Sequence, residues 1–218
     1  MNDRALSRQY YGTRQYQSQL LVVEYQCNNS GHKLYHFREE GENMEIKTDR
    51  LLIRPLGPEY LKTYNEYAMS PENARYMCFL PVEGEAESVA FLKTAEEEWA
   101  KPHPKFYEFA IIHDGEHIGG ISIHMEYGKP VLGWIINRKY WGRGFAYESA
   151  KAVMEHFASD LGIRYFCAYC DTRNTASFRL MEKLGMKRAG ESVGRKNRAS
   201  PEEAFEYKYE IDLDHDVK

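Results

Sequence analysis

Long hydrophobic runs are missing from this 218-residue sequence. The longest apolar patch near its start, residues 20–23, is too short to form the core of a signal peptide or to span a membrane. We therefore expect a cytoplasmic protein with no membrane partner. The net charge is also small, at -4, which argues against a broad surface for binding nucleic acid.

Cysteine is scarce, with four in the whole chain, and this number suits a reducing compartment in which no disulfide framework forms. Cys167 and Cys170 have C-x-x-C spacing, but they lie in an apolar stretch typical of a strand. Residues three apart on a strand face opposite sides, so this pair is poorly placed to share a metal ion. No second pair and no H-E-x-x-H motif is present, so we expect no metal site. The lack of a G-x-x-x-x-G-K-[S/T] motif argues against a nucleotide phosphotransferase.

A turn with two glycines is the most informative stretch that is present. An apolar run at residues 131–136 is short enough for a buried strand, and from Ala146 onward apolar residues recur at helical spacing. Gly142 and Gly144 lie between them, where they allow a sharp turn and a close approach of a ligand to the backbone. Free N–H groups at the start of a helix bind phosphate. The stretch fits either a phosphate cradle or a plain strand-to-helix turn, and its spacing alone does not choose between them.

The rest of the chain divides at about residue 44. Residues 1–43 are predicted as an N-terminal extension, with a possible β-hairpin around the turn residues 28–32. Residues 44–218 are predicted as one domain, with one strand, three helices and three strands followed by the order α, β, α, β, β. A helix joins the fourth and fifth strands, which should therefore be parallel. We expect an α/β fold with a mixed sheet and helices on both sides.

Local signals place several of these elements. Residues 70–77 begin with Ser-Pro-Glu, which is typical of a helix start and predicts a short helix. Asp114-Gly115 predicts a hairpin turn between two strands, and Asn174 predicts the start of a helix over residues 175–184. Residues 194–201, which carry Lys and Arg, are predicted as a mobile loop between the last two strands.

Four stretches carry a wider pattern: an opening strand at 48–56, a strand and glycine turn at 133–148, a helix start at 174–177, and a helix end at 181–186. In this order and spacing they resemble the GNAT superfamily of acyl-CoA-dependent N-acetyltransferases, and in particular its branch of ribosomal-protein N-terminal acetyltransferases. With the strands around them they cover residues 44–213. The resemblance implies that acetyl-CoA is a cosubstrate and that the acetyl group moves to a primary amine by direct attack. It also implies a mostly antiparallel sheet in which the parallel fourth and fifth strands splay apart.

The resemblance implies a set of cofactor-binding residues. The pyrophosphate of acetyl-CoA would sit on the backbone N–H groups of the glycine turn, and the pantetheine arm would pair with the fourth strand. The implied residues are Trp134, Ile135, Ile136, Lys139, Trp141, Gly142, Arg143, Gly144, Phe145, Ala146 and Asn174. The family usually has Gln or Arg three residues before the first glycine. Lys139 at this position keeps the positive charge but loses the planar bidentate geometry.

The resemblance also implies catalytic residues, with two departures from the family pattern. Asn174 would cap its helix and also meet the pantetheine or a water. The Ser177 hydroxyl would donate to the leaving sulfur, because Met181 occupies the position at which many members have Tyr; Ser177 also fits a small packing residue. A carboxylate that is common on the fourth strand is replaced by Val131. The general base stays open among Glu108, His124, Glu126 and Asp171.

The acceptor amine is not identified by the sequence. Residues 76–81, the strand around Glu108 and the loop between the last two strands are expected to set specificity. A protein N-terminus, an aminoglycoside-like drug, a polyamine and an amino acid all stay open as acceptors, and so do a monomer and a homodimer. The two departures from the family pattern also leave open a binding or sensing module that holds acyl-CoA without turnover.

Overall fold

The computed structural model describes residues 44–126 and 129–214. Within these residues the chain forms eight strands, four α-helices and two three-residue 3₁₀ helices. The strands are β1 (Ile46–Lys47), β2 (Leu52–Pro55), β3 (Phe106–His113), β4 (Glu116–Glu126), β5 (Lys129–Ile136), β6 (Tyr165–Asp171), β7 (Lys187–Lys196) and β8 (Glu203–Asp212). The helices are α1 (Leu61–Ala68), α2 (Glu85–Trp99), α3 (Phe145–Asp160) and α4 (Thr175–Lys183). In this part of the chain no helix combines the length and the apolar character needed to cross a bilayer. The predicted extension at residues 1–43, with its possible hairpin, lies outside the described residues.

The described strands form one sheet in the order β1-β2-β3-β4-β5-β6-β8-β7. The β5–β6 pair is parallel, and the other six neighbouring pairs are antiparallel. β5 and β6 pair at one position, Val131 with Cys167, and diverge beyond it. These are the fourth and fifth strands of the sequence prediction when the two-residue β1 is left out, so the mixed, mostly antiparallel sheet with splayed parallel strands is confirmed. The divergence leaves β5 with an open edge beyond Val131.

The sheet buries a core on each face because its side chains alternate. On β3, Phe109 and Ile111 belong to one core, and Ala110 and Ile112 belong to the other. The first core packs against α3 and α4, where Phe157 is fully buried. The second core packs against α1 and α2. Burial of each large side chain stabilises the fold by roughly 1.5–3 kcal/mol, and the helices on both faces confirm the predicted layers.

The short helix predicted at residues 70–77 does not form, and the chain makes turns there instead. The Ser70 hydroxyl accepts a hydrogen bond from the N–H of Asn73 at 3.3 Å, as the capping signal predicts. However, the Asn73 side chain donates to the carbonyl of Ile136 at 3.1 Å and accepts from the N–H of Arg138 at 2.7 Å. These bonds tie the segment to the end of β5, and so tertiary contacts override the local helix signal.

The segment predicted as a mobile loop, residues 194–201, is instead bonded to its surroundings. β7 extends into it, and Arg195 forms an ion pair with Glu206 on β8. Arg195 Nη2 also donates to the carbonyl of Tyr76 at 2.8 Å, and Asn197 is 1% exposed. Arg195, one of the basic residues that suggested a solvated loop, is therefore used in contacts with distant parts of the chain.

Candidate active site

The turn between β5 and α3 presents free backbone N–H groups. The indole N–H of Trp141 donates to the carbonyl of Ile136 at 2.7 Å and fixes the entry to the turn. Gly142 and Gly144 have φ of 74° and 81°, a left-handed region that glycine enters at low cost. Among the described residues, none accepts a hydrogen bond from the N–H groups of residues 142–147. These N–H groups lead into a 16-residue helix, whose dipole adds positive potential, an arrangement that suits the binding of an anion.

The open edge of β5 carries backbone groups that face the gap beside β6. The N–H of Asn137 donates to the carbonyl of Ile118 on β4 at 2.7 Å. Because residues on antiparallel strands alternate in direction, the backbone of Ile135 also faces β4. The N–H groups of Trp134 and Ile136 then face the gap. This edge is able to pair with the amide groups of an extended ligand.

The cations predicted at the turn have different partners. Lys139 Nζ lies 2.8 Å from a carboxylate oxygen of Glu66 on α1, and Arg138 forms an ion pair with Glu72. Arg143 is part of the turn itself and is exposed. The charge of Lys139 is therefore shared with α1, while Arg143 lies between the two glycines.

Arg50 is not among the binding residues that the sequence predicts, yet it lies at the same turn in the structure. Arg50 Nη1 donates to the carbonyl of Arg143 at 3.1 Å. Its guanidinium lies 4.7 Å from the ring centre of Phe145, the first residue of α3. Arg50 and Arg143 are 93 residues apart, so no local pattern could have revealed the contact.

The start of α4 follows the end of β6, beside the gap. The Asn174 side chain accepts a hydrogen bond from the N–H of Ser177 at 3.3 Å, which confirms the predicted helix cap. The Ser177 hydroxyl bonds to the thiol of Cys170, and burial raises the pKa of that thiol to about 11. Met181, one turn further on, is 1% exposed and belongs to the core. Ser177, and not Met181, offers a polar hydrogen at this position.

Glu108 and His124 form a pair on the sheet face that carries α1 and α2. His124 Nε2 lies 2.9 Å from Glu108 Oε1, and the ring of Phe106 stacks on the imidazole with centroids 5.1 Å apart. Burial lowers the pKa of His124, but the Glu108 carboxylate raises it by more, so the net pKa lies above its ordinary value. His124 stands opposite Val131, where β5 parts from β6. The pair is thus a titratable group beside the gap.

Asp171, another candidate base, has its carboxylate occupied by hydrogen bonds that stabilise the fold. Its carboxylate is fully buried and accepts from the Arg173 guanidinium at 2.7 and 2.9 Å and from Asn197 Nδ2 at 2.5 Å. Burial raises its pKa, but these hydrogen bonds hold the net pKa below its ordinary value. An amine proton therefore has little driving force to move to Asp171. Glu126, the fourth candidate, lies at the end of β4 opposite Lys129.

Two segments predicted to set acceptor specificity contact each other. The N–H of Arg198 donates to the carbonyl of Met77 at 2.9 Å, and Arg198 Nη1 donates to the carbonyl of Phe79 at 3.1 Å. Arg195 adds its bond to Tyr76. Phe79 is 53% exposed. The loop after α1 and the tip of the β7–β8 hairpin therefore form one continuous wall.

Comparison with known proteins places the chain in a family. A family model for the acetyltransferase (GNAT) domain matches residues 50–187. The chain belongs to the GNAT acetyltransferase family. It is 30% identical over 152 residues to the uncharacterized N-acetyltransferase YnaD of Bacillus subtilis (strain 168), and the match covers 67% of this chain and 85% of YnaD.

Solved structures agree with this membership. The crystal structure of a GNAT-family acetyltransferase from Bacillus anthracis is 29% identical, with a TM-score of 0.66, and the match covers 78% of this chain and 99% of that one. RimL, a ribosomal α-N-protein acetyltransferase in complex with coenzyme A, matches with a TM-score of 0.69 at 16% identity, over 79% of this chain and 100% of RimL. The likeness to RimL shows a shared fold.

The matched part of this GNAT acetyltransferase contains the glycine turn, the open edge of β5 and the start of α4. It ends at Lys187, the first residue of β7. The wall formed with Arg195 and Arg198 lies beyond it. The family match therefore covers the glycine turn and does not extend to the wall formed with Arg195 and Arg198.

Proposed function

We propose that this GNAT acetyltransferase transfers the acetyl group of acetyl-CoA to a primary amine by direct attack, with no covalent enzyme intermediate. One observation carries the proposal: the free N–H groups of residues 142–147 follow the open edge of β5, and α4 with Ser177 follows β6, the parallel strand on the other side of the gap. Acetyl-CoA offers a diphosphate, an arm with two amides and a thioester in succession. The coenzyme A bound to RimL supports the same class of ligand here.

Each part of the ligand has a matching set of groups. The diphosphate would accept hydrogen bonds from the N–H groups of residues 142–147, with Arg143 adding charge. The amides of the pantetheine arm would pair with the gap-facing backbone of Trp134 and Ile136, as a strand pairs with a sheet edge. Asn174 would border the arm from the side of α4. Lys139 and Trp141 would flank the diphosphate.

The reaction needs a neutral amine, a held thioester and a donor for the developing oxyanion. The amine nitrogen attacks the thioester carbonyl; a C–N bond forms, the C–S bond breaks and the CoA thiolate leaves. The Glu108–His124 pair takes the proton that the amine loses, through water where the amine does not reach it. A gap-facing N–H of β5 donates to the oxyanion. The Ser177 hydroxyl donates to the departing sulfur.

Acyl-CoA binding without turnover is the second candidate function. It is favoured by Val131, which replaces a carboxylate common in the family, and by Met181, which is 1% exposed and offers no hydroxyl. If neither Ser177 nor the Glu108–His124 pair acts, the same turn and edge still hold the ligand. Binding and turnover are then separate questions, since a fold does not fix a function.

Release of free thiol separates the two candidates. The protein is incubated with acetyl-CoA and, in turn, a short peptide with a free N-terminus, a polyamine, an aminoglycoside and an amino acid. Thiol release that requires the acceptor supports acetyl transfer. CoA binding by calorimetry without release across the panel favours the binding module. Absence of both binding and release contradicts both candidates.

A further inference from the structure

Arg50 is held on the first turn of α3 by a network that reaches across the domain. Its Nε donates to Glu148 Oε2 at 2.7 Å, and its Nη2 lies 2.5 Å from the same oxygen. The Thr48 hydroxyl donates to the other oxygen of Glu148 at 2.5 Å, and the backbone N–H of Arg50 approaches that oxygen at 3.2 Å. The guanidinium also lies over the Phe145 ring. Because three of its N–H groups and its ring contact hold Arg50 in place, its charge has a defined position.

Because Glu148 is negatively charged, an anion binds at the first turn of α3 only if a cation neutralises that charge. Its carboxylate lies in the first turn of α3. A negative charge there offsets the positive potential of the helix dipole, which would otherwise attract a bound anion. Burial raises the pKa of Glu148, but hydrogen bonds from Thr48 and Arg50 hold the net pKa below its ordinary value, so the carboxylate is ionised at neutral pH. An unbalanced Glu148 would repel a diphosphate. Arg50 cancels this charge.

These contacts do not use all of the N–H groups of the Arg50 guanidinium. A guanidinium carries five N–H groups, of which one is used by the Arg143 carbonyl and two by Glu148. A Cβ built on Gly144 would lie 3.6 Å from Arg50 Nη2, and the side chain is 45% exposed. The remaining two N–H groups therefore belong to a partly exposed side chain that lies against the glycine turn.

We propose that Arg50 is a diphosphate-binding residue: its remaining N–H groups donate to the diphosphate of acetyl-CoA, and its bond to the Arg143 carbonyl holds the turn in its binding shape. The inference rests on the proposed function, because the turn must hold acetyl-CoA. Arginine suits the position because its planar guanidinium can donate to Glu148, to a carbonyl and to a ligand at the same time. The ammonium group of lysine, on a flexible side chain, does not offer this fixed geometry.

Binding of CoA and of pantetheine, which lacks the diphosphate, tests this role. Calorimetry gives the CoA affinity and an NMR titration gives the pantetheine affinity for the wild type, Arg50→Ala and Arg50→Lys. Arg164→Ala is the matched control, since Arg164 is 44% exposed and paired with Asp214 away from the turn. Circular dichroism and thermal unfolding show that each variant is folded.

We expect Arg50→Ala to weaken CoA binding roughly 10- to 100-fold, the range for losing hydrogen bonds to a charged group, with pantetheine binding unchanged. Arg50→Lys should recover part of the loss, and Arg164→Ala should change neither affinity. The KM for acetyl-CoA should rise while kcat at saturation holds. If Arg50→Ala does not fold, Arg50→Lys carries the test on its own.

Three results overturn the inference. Wild-type CoA affinity in the folded Arg50 variants would remove Arg50 from the diphosphate. Equal losses of affinity for CoA and for pantetheine would show that Arg50 only stabilises the local structure and does not bind the diphosphate. If Arg50→Ala does not fold, wild-type CoA affinity in Arg50→Lys counts against the role as well. Failure of the wild type to bind CoA would instead refute the proposed function, so the two failures are distinct.

Discussion

Replacing Gly144 with glutamate places a side chain and a negative charge among the free N–H groups of residues 142–147. The backbone there has φ of 81°, so any residue with a Cβ costs roughly 1–2 kcal/mol of folding stability. The Cβ itself fits, because its nearest neighbour, Arg50 Nη2, would lie 3.6 Å away. A carboxylate about 4 Å from a phosphate charge costs on the order of 4 kcal/mol at an effective dielectric constant near 20. Allowing for screening by salt, we expect CoA affinity to fall at least about 100-fold.

The same substitution at Gly162 is a matched control. Gly162 also has a left-handed backbone, with φ of 66°, and a Cβ there meets nothing within 4 Å. It follows the other end of α3, roughly 24 Å along the helix axis from Gly144. Gly162→Glu should lose similar stability in a thermal melt and bind CoA normally in calorimetry. Normal CoA affinity in folded Gly144→Glu would refute the assignment of the turn as the diphosphate site.

Three further predictions concern catalysis and stability. Ser177→Ala should lower kcat with CoA affinity kept, and an unchanged rate in steady-state assays removes Ser177 from the mechanism. Because Glu108 raises the pKa of His124, Glu108→Gln should shift the rising limb of the kcat–pH profile to lower pH and reduce its plateau; an unmoved limb excludes the pair as the base. Burial lowers the pKa of His117 from 6.5 to about 4, so below pH 6.5 the unfolded chain binds a proton more readily than the folded one. The free energy of unfolding should therefore fall by roughly 3 kcal/mol between pH 6.5 and 4. When urea titrations are repeated at several pH values, the free energy of unfolding of His117→Gln should lack this part of its pH dependence. The same pH dependence in both proteins contradicts the prediction.

Local signals in the sequence were sufficient where neighbouring residues decide the structure. The hairpin turn between β3 and β4 was predicted where it lies, because Asp114-Gly115 is a strong local turn signal. Both turn residues have positive φ, which this dipeptide tolerates. The cap at Asn174 was equally local. At residues 70–77 a local signal failed, since Asn73 is bonded to the end of β5.

Contacts between distant residues were beyond sequence reasoning. Arg50 and Glu148 are 98 residues apart, and the charge of Arg50 is no different in sequence from that of any surface arginine. Glu108 and His124 were named as separate candidates, but their pairing depends on the register of β3 against β4, in which Phe106 faces His124. That register is fixed by a bulge and a turn together, so a pattern of single residues does not reveal it.

The central claim is that the glycine turn and the open edge of β5 hold acetyl-CoA for transfer to an amine. The most direct measurement combines free thiol release with mass spectrometry of each acceptor after incubation with the protein and acetyl-CoA. The account predicts thiol release that depends on one acceptor class, with that acceptor gaining the mass of one acetyl group. Unchanged masses for every acceptor, together with no detectable CoA binding, would contradict it.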